Sequence, residues 1–347
     1  MVFAAASVGS IQNRAQFVGI AHNSSPLISA YPWNSGVGFG TKFGNPATLP
    51  AGTGFGAGFH PLGQALACAH FGTPFITAYP FSTSGFGTKY TNPATLPSGL
   101  GEDSTFRPDG LNLAVAFDGS PNIIVYPFTV ASGVGTKYSN PATLPPADGY
   151  DTDFSTPGTD IAVSHVGTPY LSIYPWSASG FGTKYANPGT LPLNHGNGVS
   201  FNSTDGAVAV VFSTTPFIAA YPWTTGTGFG TKYANPASAI NGNGYDVSFA
   251  PSGTGIAVAS NLTPFLAGYA FTDASGFGTR YSNPATIPVA NTNGVDFTYS
   301  GTDVGFAGDS TPKLNFYPWT GTAFGTRYAN PASVIAGTCN GISFSSL

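Results

Sequence analysis

Charge is what this chain has least of. Ten Lys and Arg with 14 Asp and Glu make up 7% of 347 residues, far below the roughly 25% usual for soluble domains. Glutamate occurs once, as Glu102, which excludes a Glu–Glu acid–base pair. Cysteine occurs twice, at Cys68 and Cys339, too few for a disulfide framework or a cysteine metal cluster. No apolar run reaches the ~18 residues that span a bilayer, so no membrane insertion is expected. A net charge of −4 offers no footprint for nucleic acid. No G-x-S-x-G elbow occurs, and the "GTGFG" stretches open no helical pattern that could cradle phosphate. These absences predict no enzymatic activity and no cofactor. The opening "MVFAAASVGSIQ" lacks a basic n-region and reads as a mature start, not a signal peptide.

Glycine (47) and proline (30) are abundant, yet 41% hydrophobic and 14% aromatic content argue against disorder. One phrase accounts for much of this. "GFGTKYANPGTLP" at 180–192 recurs in close copies at 38–50, 85–97, 133–145, 228–240, 276–288 and 323–335. The glycines of its G-T-K/R step are Gly40, Gly87, Gly135, Gly182, Gly230, Gly278 and Gly325, spaced 47 or 48 residues apart. A period of that length is the mark of β-propeller blades. The unit 197–240 shows how one blade reads. "GVSF" (198–201), the continuous apolar "AVAVVF" (207–212), "FIAAYPW" (217–223) and "FGTKYANP" (229–236) are four short strands separated by Gly, Pro, Asn and Ser turns. The reading is all-β: a single seven-bladed β-propeller domain over 1–347. "NGISFSSL" (340–347) repeats the inner-strand phrase "NGVSFNS" and then the chain stops. It is expected to close the ring by completing the first blade, whose own opening "SVGSIQ" matches poorly.

The hairpin phrases "FRPDG" (106–110) and "FAPSG" (249–253), with "YPW" endings at 31–33, 174–176, 221–223 and 317–319, resemble the WD-repeat type of propeller. The Asp of Trp-Asp and that family's Gly-His pairs are missing, so the resemblance implies blade geometry without its internal hydrogen-bond network. The near-identical phrases are also similar to repeats in virion-associated proteins of tailed bacteriophages. That likeness implies an extracellular virion location and a rigid, non-enzymatic module docking on other virion or scaffold proteins. A lectin-like propeller recognising a surface glycan is the alternative.

In "FGTKYANP" alternate residues share one face and the cation lies on the other. Lys42, Lys89, Lys137, Lys184, Lys232, Arg280 and Arg327 are therefore expected on an outer edge strand, where charge opposes edge-to-edge aggregation. The "YPW" aromatics are expected to fill the gaps between blades. His22, His70 and His165 share one repeat slot that Phe117 and Phe212 fill elsewhere, which points to packing over metal ligation. Asp103, Asp151, Asp153, Asp246 and Asp296 lie one or three residues before an inner-strand Phe, on the opposite face. With Glu102 they form the candidate binding set. Carboxylates converging on the channel suit a hard cation such as calcium; a hydrated acidic wall is the other reading. The first-to-second and fourth-to-first connections vary most, so one mouth of the ring is expected to present both to a partner.

Overall fold

A computed structural model describes residues 16–345. The opening phrase 1–12, with "SVGSIQ", and the last two residues of the closing phrase lie outside the described residues. Seven antiparallel sheets stand around a common axis as the blades of a propeller. Blade 5 is built from Gly196–Phe201, Ala207–Phe212, Ile218–Thr224 and Gly228–Phe229, in simple meander order. We refer to these as inner, second, third and outer strands. Blade 1 is completed from both ends of the chain. Its inner strand is Cys339–Phe344, which pairs with Gln16–His22 in the register Val18↔Phe344 and Ile20↔Ile342. Ser345 N donates to Phe17 O at 2.9 Å and extends the seam. The ring is closed as the orphan C-terminal phrase predicts.

The outer strand departs from expectation. It spans two residues in most blades, not eight, and proline is the reason. Trp223 pairs with Phe229 and Thr224 with Gly228, but the next rung would need Pro222, which has no N–H. Gly230 instead turns onto Pro222, donating its N–H to Pro222 O at 2.8 Å. A Cβ on Gly230 would lie 2.8 Å from Pro222 Cβ, so the turn demands glycine. Blade 6 carries Ala270 in place of the proline, and there the outer strand runs on through Gly276–Arg280, with Tyr269 paired to Arg280.

Beyond the short outer strand the repeated phrase becomes a strap. Lys184 Nζ donates to Asn187 Oδ1 at 2.5 Å and to Tyr185 O at 3.2 Å. Lys42, Lys89, Lys137 and Lys232 make the same pair of bonds. Arg280 belongs to the lengthened strand, and Arg327 donates to Asn315 Oδ1 at 2.9 Å. The lysines thus hold the strap's own curvature, a correction to the edge-strand role expected of them. The strap then docks on the following blade. Tyr79, Tyr126, Tyr174, Tyr221, Tyr269, Tyr317 and Tyr31 each donate a phenol to a carbonyl in the preceding blade's strap, from Thr48 O to Ser333 O, at 2.8–2.9 Å. All seven tyrosines are fully buried.

Between blades, "YPW" rings pack edge-on, as expected. Trp223 meets Tyr185 at 4.8 Å and Phe229 at 5.1 Å between centroids. A tryptophan adds a polar demand. Trp33 Nε1 donates to Asp303 Oδ2 at 3.2 Å, Trp223 Nε1 to Asp160 Oδ2 at 3.2 Å, and Trp176 Nε1 to Asn112 Oδ1 at 3.3 Å. Each acceptor begins the second strand of the preceding blade. In that slot Ala65 faces Phe128 and Ala207 faces Phe271, within shared apolar clusters. Trp319 is the exception. Its slot holds Gly255, where a Cβ would come 2.7 Å from the indole, and its buried Nε1 has no partner.

Candidate functional site at one mouth of the ring

Every inner strand enters the ring with a β-bulge. In blade 4, Gly149 pairs with His165 and Asp151 with Ser164, so Tyr150 is the extra residue. The same shift leaves Glu102, Asn197, Tyr245, Asn293, Phe55 and Asn340 over in the other blades. A bulge bends the strand and re-aims the inserted side chain. Two consecutive residues can therefore face the axis, and these seven form the rim of a cavity of about 380 Å³. Below them, Asp103, Asp151 and Asp246 also line it, with Gly56 and Ala57 of blade 2 and Gly341 and Ile342 of blade 1. A second hollow beside Pro312 and Pro331 has about 10 Å³ of space, room for a water-sized sphere.

The candidate acids divide into two groups. Asp103, Asp151, Asp153, Asp246 and Asp296 latch blade to blade. Asp151 Oδ2 accepts from Val199 N at 2.6 Å, Asp153 Oδ2 from Phe201 N at 2.7 Å, Asp246 Oδ2 from Val295 N at 2.7 Å and Asp296 Oδ2 from Phe344 N at 2.7 Å. Asp103 Oδ2 accepts from both the amide and the hydroxyl of Thr152. Ser200 and Ser343 take the same office by accepting from Phe249 N and Phe59 N. Burial raises the carboxyl pKa of all five: to about 7 at Asp153 and Asp296, and about 8 at Asp246. Among the described residues no three His, Cys, Asp or Glu side chains are placed to hold a metal ion.

Glu102 differs. It has no latch bond, and burial, followed by the nearby Asp118, Asp148 and Asp103 and a hydrogen bond with Asp118, pushes its carboxyl up to about 8. At neutral pH it is largely a protonated acid at the rim. Its neighbour Tyr150 is also raised, by burial first and then by the field of Glu102. Three rim asparagines donate to carbonyls of the next blade: Asn197 to Gly244 O at 2.6 Å, Asn293 to Cys339 O at 3.1 Å and Asn340 to Gly54 O at 2.8 Å. These bonds leave the amide oxygens open as acceptors. No Lys or Arg lines the cavity.

On the far side of Tyr150 lies His195, with ring centroids 6.4 Å apart. Its Nε2 is 3.2 Å from Ser213 Oγ and its Nδ1 is 3.1 Å from Asn194 Oδ1. Sequence reasoning passed over all three, because each is an ordinary residue where the repeat varies. His22, His70 and His165, by contrast, are buried and bond Ser29, Thr77 and Ser172 across to the third strand at 2.8–3.0 Å. Theirs is a packing slot, as expected.

Strand direction corrects one further expectation. With four antiparallel strands per blade, the fourth-to-first connections and second-to-third turns gather at the mouth that holds Glu102. First-to-second hairpins such as 107–111 lie at the opposite mouth. The two variable connection classes therefore belong to different faces.

No protein-family model matches the chain, and no curated protein is similar to it in sequence. Solved structures are similar in fold. A candidate 6-phosphogluconolactonase of Bacteroides fragilis aligns with TM-score 0.72 at 15% identity, over 96% of this chain and 99% of its own. The periplasmic gluconolactonase of Pseudomonas aeruginosa aligns with TM-score 0.67 at 15% identity, over 95% and 99%. A Lactobacillus plantarum protein aligns with TM-score 0.70 at 13% identity, over 95% and 99%. At these identities the likeness establishes the propeller fold. It also corrects the functional expectation. Three of the structures that share this ring are described as gluconolactonases or candidate 6-phosphogluconolactonases, and none of the three carries a WD-repeat or a phage description. The non-enzymatic, virion-associated docking module and its lectin-like alternative are set aside accordingly.

Proposed function

We propose that the chain is a hydrolase that opens the ring ester of an uncharged, hydroxyl-rich lactone bound at the Glu102 mouth. The observation that carries this reading is the half-buried Glu102 carboxyl at the cavity rim, which burial and the nearby Asp118, Asp148 and Asp103 push up to about 8, beside the open amide oxygens of the rim asparagines. A neutral carboxylic acid donates a hydrogen bond to the ester carbonyl and stabilises the negative charge that develops there during attack. The open amide oxygens of Asn197, Asn293 and Asn340 suit a ligand rich in O–H donors. Phe55, Tyr150 and Tyr245 offer apolar faces to its ring. The volume falls within the range of small-molecule sites. A phosphorylated lactone fits poorly, because no Lys or Arg lines the cavity to receive its dianion.

The test compares purified chain on gluconolactone and on its 6-phosphate, following acid release above the spontaneous rate with a pH indicator. Turnover should favour the unphosphorylated ring, fall at least tenfold in Glu102→Gln, and decline above about pH 8 as Glu102 ionises. Preference for the phosphate, or no turnover of either lactone, would overturn the proposal.

A further inference from the structure

Blade 5 breaks a rule that the other six keep. At this mouth the first residue after each second strand donates its amide to the residue that precedes the inner strand. The pairs are Asn23 N→Thr338 O, Phe71 N→Thr53 O, Asp118 N→Leu100 O, Val166 N→Asp148 O, Asn261 N→Asn243 O and Asp309 N→Asn291 O, at 2.8–3.3 Å. The corresponding residues of blade 5 are Ser213 and His195, and no such backbone bond joins them. Their side chains meet instead, Ser213 Oγ to His195 Nε2 at 3.2 Å. A repeat that abandons its own hydrogen bond at one position, and places a hydroxyl against an imidazole there, departs from the building rule at a chosen place.

We infer that Ser213 is a nucleophile, activated by His195, for acyl transfer at this mouth. The inference deepens the lactone-hydrolase reading and rests on it for the substrate. Asn194 Oδ1 accepts from His195 Nδ1–H at 3.1 Å, which fixes the tautomer that leaves Nε2 free to take a proton. Asn197 Nδ2 donates to Ser213 Oγ at 3.2 Å and holds it from the cavity side. Both Ser213 and His195 are half-buried, open to a ligand. Tyr150, of the blade between Glu102 and this pair, touches His195, and Asn197 joins Ser213 to the cavity lining.

The chemistry balances without a further reagent. His195 Nε2 takes the Ser213 proton as the Oγ–C bond forms. The ring C–O bond then breaks, and the departing ring oxygen takes that proton from Nε2. Water attacks the serine ester, giving its proton to the same nitrogen, which returns it to Oγ as the hydroxy acid leaves. Ser213 and His195 are the catalytic residues, and Asn194 is a positioning residue.

The experiment is labelling of the purified full chain with a fluorophosphonate, read by peptide mass, beside the lactone assay. An adduct on Ser213 is expected, absent in Ser213→Ala and slowed at least tenfold in His195→Ala. Added imidazole should restore part of the His195→Ala labelling, which a purely structural histidine would not allow. Asn194→Asp should keep labelling and Asn194→Ala slow it, with thermal melting confirming that each variant folds. No adduct in the wild-type chain, or an adduct that Ser213→Ala leaves in place, overturns the inference. Lactone turnover that survives Ser213→Ala at full rate overturns it too, while leaving the lactone reading intact. Labelling of Ser213 without lactone turnover supports the nucleophile and removes the proposed substrate.

Discussion

Replacing Asp303 by Ala tests how a blade tolerates tryptophan. Asp303 accepts from Trp33 Nε1 at 3.2 Å, from Tyr328 OH at 2.6 Å and from the Ser35 hydroxyl. Trp33 and Asp303 are 3% and 1% exposed, so the indole N–H would be left without water or partner. A buried donor stripped of its acceptor costs about 1–3 kcal/mol. Tyr328 can follow Tyr90 and Tyr233, which face alanine slots and donate to hairpin carbonyls of the next blade. Ser35 is exposed and can turn to solvent. The single substitution should therefore cost about 2–3 kcal/mol, mostly through Trp33. Adding Trp33→Phe rebuilds the Ala–Phe pair used at Ala65–Phe128 and Ala207–Phe271. The double variant should be less destabilised than the two singles summed by about 1–2 kcal/mol, within the range seen for contacting residues. Chemical denaturation of the four proteins measures this coupling. A cycle that closes additively would refute the claim that acceptor and indole form one unit.

Two further outcomes are expected. The channel acids have folded pKa values raised from 3.8 to about 7 or 8, so the folded chain holds protons that the unfolded chain has released. Their contribution is greatest near pH 4 and is lost as pH rises through 8. His22 and His165 are lowered from 6.5 to about 4 by burial and act oppositely, losing their contribution as pH falls from 6.5 through 4. The acids outnumber them, so melting temperature should be higher at pH 5.5 than at pH 8.5, and the reverse order would refute the linkage. Removing residues 339–347 strips blade 1 of its inner strand; the truncated chain should melt lower and associate in gel filtration, whereas an unchanged monomer would deny that the seam closes the ring.

The fold was legible because the repeat reports it directly. Period, strand count and the closing strand all follow from where one phrase recurs. The outer strand was misjudged because alternation in "FGTKYANP" looks like a strand, while the residue that stops its ladder, Pro222, lies in another phrase. The candidate site was legible in part. Counting back from Phe106 by odd offsets places Asp103 toward the axis correctly. Glu102 belongs to the same candidate set, but its offset from Phe106 is even, and what turns it to the axis is a bulge, which is a property of the pairing and leaves no trace in a single strand. Ser213 and His195 are 18 residues apart, and only the turn between them brings them together. The Trp–Asp pairing could have been read by lining up repeats: Trp33, Trp176 and Trp223 follow blades whose second strand opens with Asp303, Asn112 and Asp160, whereas Phe128 and Phe271 follow blades that open with Ala65 and Ala207.

The strap implies something about how such a ring changes length. Its lysine bonds stay within one blade and its carbonyl is claimed by the next, so the written unit and the folded unit are out of phase. A gene that gains or loses one period by slippage anywhere inside the phrase would still encode a matched strap and socket at every junction. Blade number is then limited only by the angle through which the last strand must reach the first.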